Sequence, residues 1–380
     1  MKLLEMNLLQ SFPVSNPNRD DSGSPKSVNF GGIDRARISS QCWNRAIRTY
    51  LRKSKRFQGC RTKLLLPSIK SGLISLGRKE EVSDKIARIF CSGVGGVGGL
   101  DKKHPDSLAT MIYLSRQQLD NLCRSLNNVS DEELSKFTDK EMSSLHSEEE
   151  ENGSSPKKAQ KKGSKTDTVI GKIKASAKEI GSVVADGFDI AEFGRLFAND
   201  DSLSSDASTM AAHAFSTHEV CNEQDYFTAI DDLSDKNSSA HIGVSQFNSA
   251  LYYRYHAVNL DSFFNHPCSI AYPEEARIAV EEYIEAVLVA MPSGCKSTKF
   301  AGNPPLYAKV MVREGYPITL ANAFLSPVKE EGYLDESIRK LENHWGFFKR
   351  AYGITAESEY VMNPESGSLK ELIKTTMKFV

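Results

Sequence analysis

Paired cysteines are missing from this chain. Cys42, Cys60, Cys91, Cys123, Cys221, Cys268 and Cys295 are odd in number and widely spread, with no C-x-x-C pair. A disulfide framework or a zinc ribbon needs closer, paired spacing, so reduced thiols in a cytoplasmic protein are expected. Long apolar runs are missing too: Ala286-Val287-Leu288-Val289-Ala290-Met291 is far too short to cross a bilayer. Glu5 and Asn7 interrupt the stretch that a secretory signal core would occupy, and no membrane partner is expected.

The familiar catalytic signatures are equally scarce. Eight histidines are present, yet none forms H-E-x-x-H, and His218-Glu219-Val220-Cys221 breaks that pattern. There is no G-x-S-x-G and no Walker loop. Asp20-Asp21, Asp200-Asp201 and Asp231-Asp232 are adjacent pairs, which point to opposite faces of a strand or cap turns rather than share a cation. Gly93-x-Gly95-x-x-Gly98 fits a dinucleotide fingerprint formally. A helical pattern precedes it, however, and Asp101-Lys102-Lys103-His104-Pro105 follows where a helix should open, so it reads as a loop. No catalytic residue, metal or cofactor is expected.

What the chain does have is segregated charge. Its 380 residues suffice for two or three domain-sized units, or one core with large insertions, and the net charge is −1. Between Lys26 and Lys63 stand eleven basic residues opposed only by Asp34, while the rest of the chain holds 37 basic against 48 acidic residues. Positive charge gathered into one-tenth of the length favours a polyanion partner at one surface; a solvated helix face is the bland alternative.

Residues 1–12 read as a strand and Ser11–Pro25 as a surface loop. From Ser39 or Ser40, either able to act as N-cap, Trp43, Ala46, Ile47, Tyr50 and Leu51 keep helical spacing, which leaves Gln41, Arg45, Arg48 and Arg52 on the opposite face with Asn44 at its margin. Helices are also expected over Glu80–Phe90, Ser115–Leu126, Thr166–Ala185, Pro273–Met291 and Asp335–Tyr352. Strands are expected over Phe188–Phe197, Phe247–Leu260, Tyr307–Arg313 and Ile318–Phe324, with Ala240–Ser245 flanking the block at 213–248. Residues 131–167, with a four-carboxylate run and then five lysines, read as a charged low-complexity insertion. The order fits an α+β, β-α-β-β-α-β (ferredoxin-like) sandwich with both helices on one sheet face and the other open to single-stranded nucleic acid.

Arg35-Ala36-Arg37-Ile38-Ser39-Ser40-Gln41 places alternate arginines before a helix N-terminus. Alternation directs both guanidiniums to one side, while the serine hydroxyls and free helix N–H groups can meet a phosphate. Gln41, Arg45 and Arg48 continue this sugar–phosphate surface, which carries no base-reading element.

These residues resemble the start of the CasC backbone subunit of the type I-E CRISPR Cascade complex. The resemblance rests on Asn18-Arg19-Asp20-Asp21, Phe30-Gly31-Gly32 and Arg35 to Gln41, then on Asp189-Ile190-Ala191 with Gly194-Arg195 and Ala212-His213-Ala214 with Ser216-Thr217-His218. Tyr226 to Leu233, Ser239-Ala240-His241-Ile242-Gly243 and Leu320-Ala321-Asn322-Ala323-Phe324 follow in family order. It covers most of the chain except roughly 55–185.

The resemblance implies a modified RNA-recognition-motif palm (1–58, 186–212 and 249–380), helical fingers (59–185) and a thumb (213–248). It also implies a non-catalytic subunit that oligomerises along the spacer of a CRISPR RNA, kinks it, and presents bases for pairing with target DNA. The partners implied are CRISPR RNA, neighbouring copies, other Cascade subunits, and target DNA through the guide. Arg19, Lys26, Ser39, Gln41 and Arg48 match the family's RNA-backbone contacts, and Arg45 is basic in the family too. Asn44 stands where a contacting lysine is usual, and Leu196 where a methionine wedges beside the kink. Tyr226 and Phe227 match residues that stack near the displaced base; anchoring of the thumb on its own subunit is the alternative. His213, His218 and His241 read as turn or core hydrogen-bonders.

Two rivals stand beside this reading. An RNA-processing endonuclease of related fold needs a general acid or base beside the basic stripe, and no histidine precedes His104. A purely structural module would turn the arginines toward an acidic protein patch.

Overall fold

A computed structural model describes residues 1–94, 97–135, 165–197, 201–230, 239–329 and 332–380. Most of the charged insertion, Gly95, Asp200 and Asp231-Asp232 lie outside the described residues. The chain divides into two units: Met1–Lys53 with Ser208–Asn265 and Ala276–Val380, and Ser54–Ala207 with His266–Glu275. In chain order the described strands are β1 (Lys2–Ser15), β2 (Ser27–Phe30), β3 (Ile33–Ile38), β4 (Cys60–Thr62), β5 (Ile112–Leu114), β6 (Thr209–Ala211), β7 (Ala214–Ser216), β8 (Glu223–Ile230), β9 (Ser239–Asn259), β10 (Tyr307–Glu314) and β11 (Ser358–Met362).

The first unit is built on one antiparallel sheet in the order β11-β10-β1-β9-β7-β3-β2, with β6 and β8 also paired to β9. β1 lies inside it between β10 and β9, with Leu9 opposite both Tyr307 and Tyr253. Its residues are buried on both faces, which is why it reads as near-continuous apolar bulk rather than as alternation. On one face Phe12, Ile38 and Tyr252 pack with Trp43 of α1 (Ser40–Leu51).

The other face differs from the expected open surface. Leu9, Tyr253, Tyr255, Tyr307 and Met311 are covered there by Leu341 and Trp345 of the helix Tyr333–Tyr352 and by Leu320 and Phe324. The helix Tyr333–Tyr352 thus lies across the face that an open sandwich would offer to nucleic acid. Ile318–Phe324, expected as a strand, forms none: a 3-10 turn spans Ala321–Phe324. The Ile318 N–H donates to the Glu5 carboxylate (2.8 Å) and the Leu320 N–H to the Tyr253 hydroxyl (2.8 Å). With those donors satisfied by side chains of the sheet face, the segment runs over the sheet instead of joining it.

In the second unit α2 (Leu65–Ser75), α3 (Glu80–Ile89), α4 (Arg116–Leu126) and the helix Lys165–Ser176 share a core of Leu66, Ile69, Ile86, Phe90, Leu122 and Ile173. Ser115 and Gln118 form a reciprocal capping box that opens α4. The β4–β5 pair is too short to leave a periodic trace in the sequence. Phe188–Phe197 is not a strand either: Phe188–Phe193 is helical and ends at Gly194, φ +71°. A Cβ at Gly194 would come within 2.9 Å of the Ala207 nitrogen and the Ser205 oxygen, so glycine is required there. Residues 186–207, expected with the palm, pack within this second unit, where the Phe188 N–H donates to the Arg56 carbonyl and the Gly59 N–H to Asp189.

His266 makes this unit acid-sensitive. Its Nδ1 accepts the Cys268 N–H (3.2 Å) and caps the helix Pro267–Ala271. Burial first, and the charge of Arg195 second, push the imidazole down to about 4. Between the ordinary histidine value and that point the unfolded chain binds a proton that the folded chain refuses, so stability is unaffected above about pH 7 and falls as the pH drops toward 4. The expected loss is on the order of 3 kcal/mol, read from urea midpoints at successive pH values. His266→Asn keeps a capping side chain without the titration and should flatten the decline; an unchanged decline would remove His266 as its cause.

Candidate nucleic-acid interface

A loop, a strand and a helix start are tied together at one edge of the first unit. The Asp20 carboxylate accepts the Ser22 and Ser24 N–H groups (both 2.9 Å) and the Ser22 hydroxyl (2.7 Å), an Asx turn that shapes the loop. These bonds hold the Asp20 pKa below its ordinary value, the Ser22 hydroxyl contributing most. Asn18 joins the loop to the helix, because its Oδ1 accepts the Ser39 N–H (2.9 Å) and its carbonyl accepts the Lys26 N–H (3.0 Å). The Arg37 N–H in turn donates to the Lys26 carbonyl (2.8 Å). Ser39 is the N-cap of α1, its hydroxyl accepting the Cys42 N–H (3.3 Å). Gly31 and Gly32, at φ +68° and +82°, make the two-residue turn between β2 and β3. A Cβ on Gly31 would stand 2.0 Å from the Leu325 oxygen.

This framework presents Arg19, Gln41 and Arg45 exposed, and Lys26, Arg37 and Arg48 half-buried. Their charges converge. Burial raises the Cys42 thiol pKa, but the charges of Lys26 and Arg45 pull against it. Burial, Arg37 and Lys26 together lower the His213 imidazole. Lys26 therefore sits within electrostatic reach of both ends of the row. Asn44 is half-buried at its margin, and its Oδ1 is buried with no hydrogen-bond partner.

Arg35 does not belong to the row. It is 0% exposed, and its guanidinium donates to the carbonyls of Phe30 (3.2 Å), Ser216 (2.9 Å) and Phe324 (2.9 Å). Alternation places Arg35 and Arg37 on one side of β3, as expected, but at Arg35 that side is closed by the turn ending at Phe324 and by the Ser216 carbonyl of the neighbouring β7. Arg35 is a fastener of the core.

Sequence reasoning overlooked His213 as a member of this surface. It is exposed, and its Nδ1 lies 2.9 Å from Arg37 Nη1. It does form a hydrogen bond, as expected, but its place beside the basic row is set by β3–β7 pairing between residues 176 positions apart. No local pattern carries that information.

The expected thumb contains the ribbon of β8 and the first half of β9. Tyr226 pairs with Val244 and Thr228 with Ile242, so Tyr226, Val244 and Ile242 share one face, at 63%, 60% and 56% exposure. Phe227 points to the other face, with its ring across Gly243, where an added Cβ would meet Cζ at 2.4 Å. Phe227 thus packs on its own ribbon while Tyr226 is turned to solvent. Lys299 secures the ribbon's base through Ser245 (2.7 Å) and Asp225 (3.6 Å).

Leu196 belongs to the second unit and is 82% exposed. It lines a cavity of about 490 Å³ with Arg61, Met111, Tyr113 and Phe193. The Arg61 guanidinium lies 4.9 Å from the centre of the Tyr113 ring. Arg195, beside Leu196, is buried and donates to the Leu203 and Ile180 carbonyls and to Gln118. Among the described residues no three His, Cys, Asp or Glu side chains gather as a metal site, and no helix is long and apolar enough to cross a membrane.

Comparison with known proteins gives this geometry a context. The model of a family described as CT1975-like protein matches residues 4–378. A chain from a solved structure described as "CRISPR RNA-guided surveillance complex, pre-nicking" is similar at 26% identity and a TM-score of 0.78, with 99% of each chain covered. A second, from a "CRISPR RNA-guided surveillance complex", shares the fold at 23% identity and a TM-score of 0.70 over 100% of both chains. No curated protein matches.

Proposed function

Because this chain belongs to the CT1975-like protein family, we propose that it is a non-catalytic CRISPR RNA-binding subunit of a Cascade complex of the type I-E kind. It oligomerises along the spacer, kinks the RNA and presents bases for pairing with target DNA in antiviral defence. The carrying observation is the convergence of Lys26, Arg37 and Arg45 around a capped helix start, where Ser39 and the first-turn N–H groups can meet a phosphate. The similarity at 26% identity to a chain from a CRISPR RNA-guided complex supports the choice of RNA.

The sheet supports a modified RNA-recognition-motif palm. β1, α1, β6, β9, the helix Pro273–Val289 and β10 follow one another in β-α-β-β-α-β order, and the strands lie as β10-β1-β9-β6. With the sheet face covered, RNA runs along the loop and α1 instead. The exposed Tyr226 face of the β8–β9 ribbon serves as the thumb, and Leu196 as the apolar wedge at the kink. The protein reads the backbone and base pairing reads the sequence.

Purification with and without nuclease tests this reading. The untreated protein should carry RNA of defined length and form filaments. Arg37→Glu with Arg48→Glu should abolish both, and residual binding should show a salt slope reduced by about 1.4 for two lost phosphate contacts. Protein that neither carries nor binds RNA at low salt would overturn the proposal.

One observation favours the endonuclease rival: exposed His213 beside Arg37 provides the acid–base candidate that the first hundred residues lack. Defined cleavage of repeat RNA by the pure protein, lost in His213→Gln, would establish that rival.

A further inference from the structure

We propose that His213 is an additional phosphate-binding residue, one that positions Arg37 while its ring is neutral and takes up a proton when a phosphate settles between Lys26 and Arg37. The inference rests on the RNA-binding reading above and adds to it a residue and a coupling.

The contact itself defines the starting state. Arg37 is a permanent donor, so at 2.9 Å its Nη1–H must donate to a lone pair on His213 Nδ1. The ring is then neutral, with its proton on Nε2. Arg37 Nε also donates to the Ser27 carbonyl (3.3 Å), so its guanidinium is held at two points on the surface. The backbone around His213 is fixed as well: the Ala212 N–H donates to the Tyr255 carbonyl (3.1 Å), and Ala214 pairs with Ile38. His213 therefore acts as a rigid acceptor that aims a long cationic side chain.

The charges that face the ring are those of Arg37, on β3, and Lys26, at the end of the loop that precedes β2. Both are positive. Together with partial burial they keep the free ring neutral below the ordinary histidine range. A phosphate seated on Lys26 and Arg37 reverses the sign of the local field. Arg37 turns from the ring to the phosphate oxygens, Nδ1 is released, and the ring gains a proton from solvent and donates to the same anion. Binding and protonation are then linked, so RNA raises the proton affinity of His213 and protons raise the affinity for RNA.

The test uses the full chain and an unrelated labelled single-stranded RNA, titrated at fixed ionic strength from about pH 8 to about pH 5.5. Wild-type affinity should rise roughly threefold to tenfold as the pH falls, corresponding to a shift of up to about one pKa unit. The salt slope should steepen by about 0.7 at the acid end, as one further phosphate contact forms. His213→Gln keeps an acceptor for Arg37 but cannot titrate, so whatever its absolute affinity, its binding should change little between about pH 8 and about pH 5.5. The His213 ring signal in NMR should titrate at higher pH with RNA than without. Equal pH dependence in the two proteins, or a ring titration that RNA leaves in place, would overturn this inference while the RNA-binding reading stands. Failure of both proteins to bind at every pH would instead overturn the reading beneath it.

Discussion

Arg35→Met should lower stability by about 3 kcal/mol, while Arg37→Met, two residues along the same strand, should leave the unfolding midpoint unchanged. Arg35 is fully buried, and three backbone carbonyls depend on its guanidinium. Removing it strands those acceptors without water, and a few stranded groups at 1–3 kcal/mol each, partly relieved by relaxation, give that figure. Arg37 is half-buried and bonded to Ser27 and His213 at the surface, where a lost contact costs a few tenths of a kcal/mol. The RNA readout should separate the pair in the opposite sense. Arg37→Met should weaken RNA binding with full stability, and whatever Arg35→Met protein remains folded should bind normally. Urea titration beside RNA titration of both variants checks this. Equal stability of the two would mean that Arg35 does not carry the roof over β3.

A still larger loss is expected inside the sheet. Glu5 and Arg313 form a buried ion pair, and the same carboxylate accepts the Tyr255 hydroxyl and the Ile318 N–H. Burial and the neighbouring negative charge of Glu5 keep the Tyr255 phenol protonated far above its usual range, so it remains a donor. Arg313→Met leaves a carboxylate in the interior without its counter-charge and should cost about 3–5 kcal/mol. Glu5→Gln combined with Arg313→Met removes both charges but keeps an acceptor oxygen for Tyr255 and Ile318, and should recover part of that loss. If the double variant were less stable than Arg313→Met alone, the stranded charge would not be the cause. This arrangement also explains why the sequence misleads at Ile318–Phe324. Apolar alternation there resembles a strand, but its donors are already engaged by Glu5 and Tyr253.

Local patterns made part of the fold legible. β1, the capped start of α1, the helix Pro273–Val289 and the strand β10 follow from apolar spacing and a serine at the right place, because short-range periodicity and capping act within a few residues. The same holds for the charge excess between Lys26 and Lys63 and the outward row of Gln41, Arg45 and Arg48. Phe188–Phe193 shows the limit of such patterns. Its alternating apolar residues suit a strand, yet Gly194 and contacts to residues 56–59 close it as a helical turn.

The sequence by itself determined that positive charge is concentrated beside a helix start, and that this helix buries Trp43 and Ile47 while turning its cations outward. Only the tertiary structure decided which of those cations reach solvent. Arg35 and Arg37 are equivalent in spacing and composition, and a strand places both on one side. What separates them is the Ser216 and Phe324 carbonyls over one and His213 beside the other, brought there by chain segments nearly two hundred residues or more away. Burial and long-range pairing depend on the packed chain, and no local window of the sequence contains them.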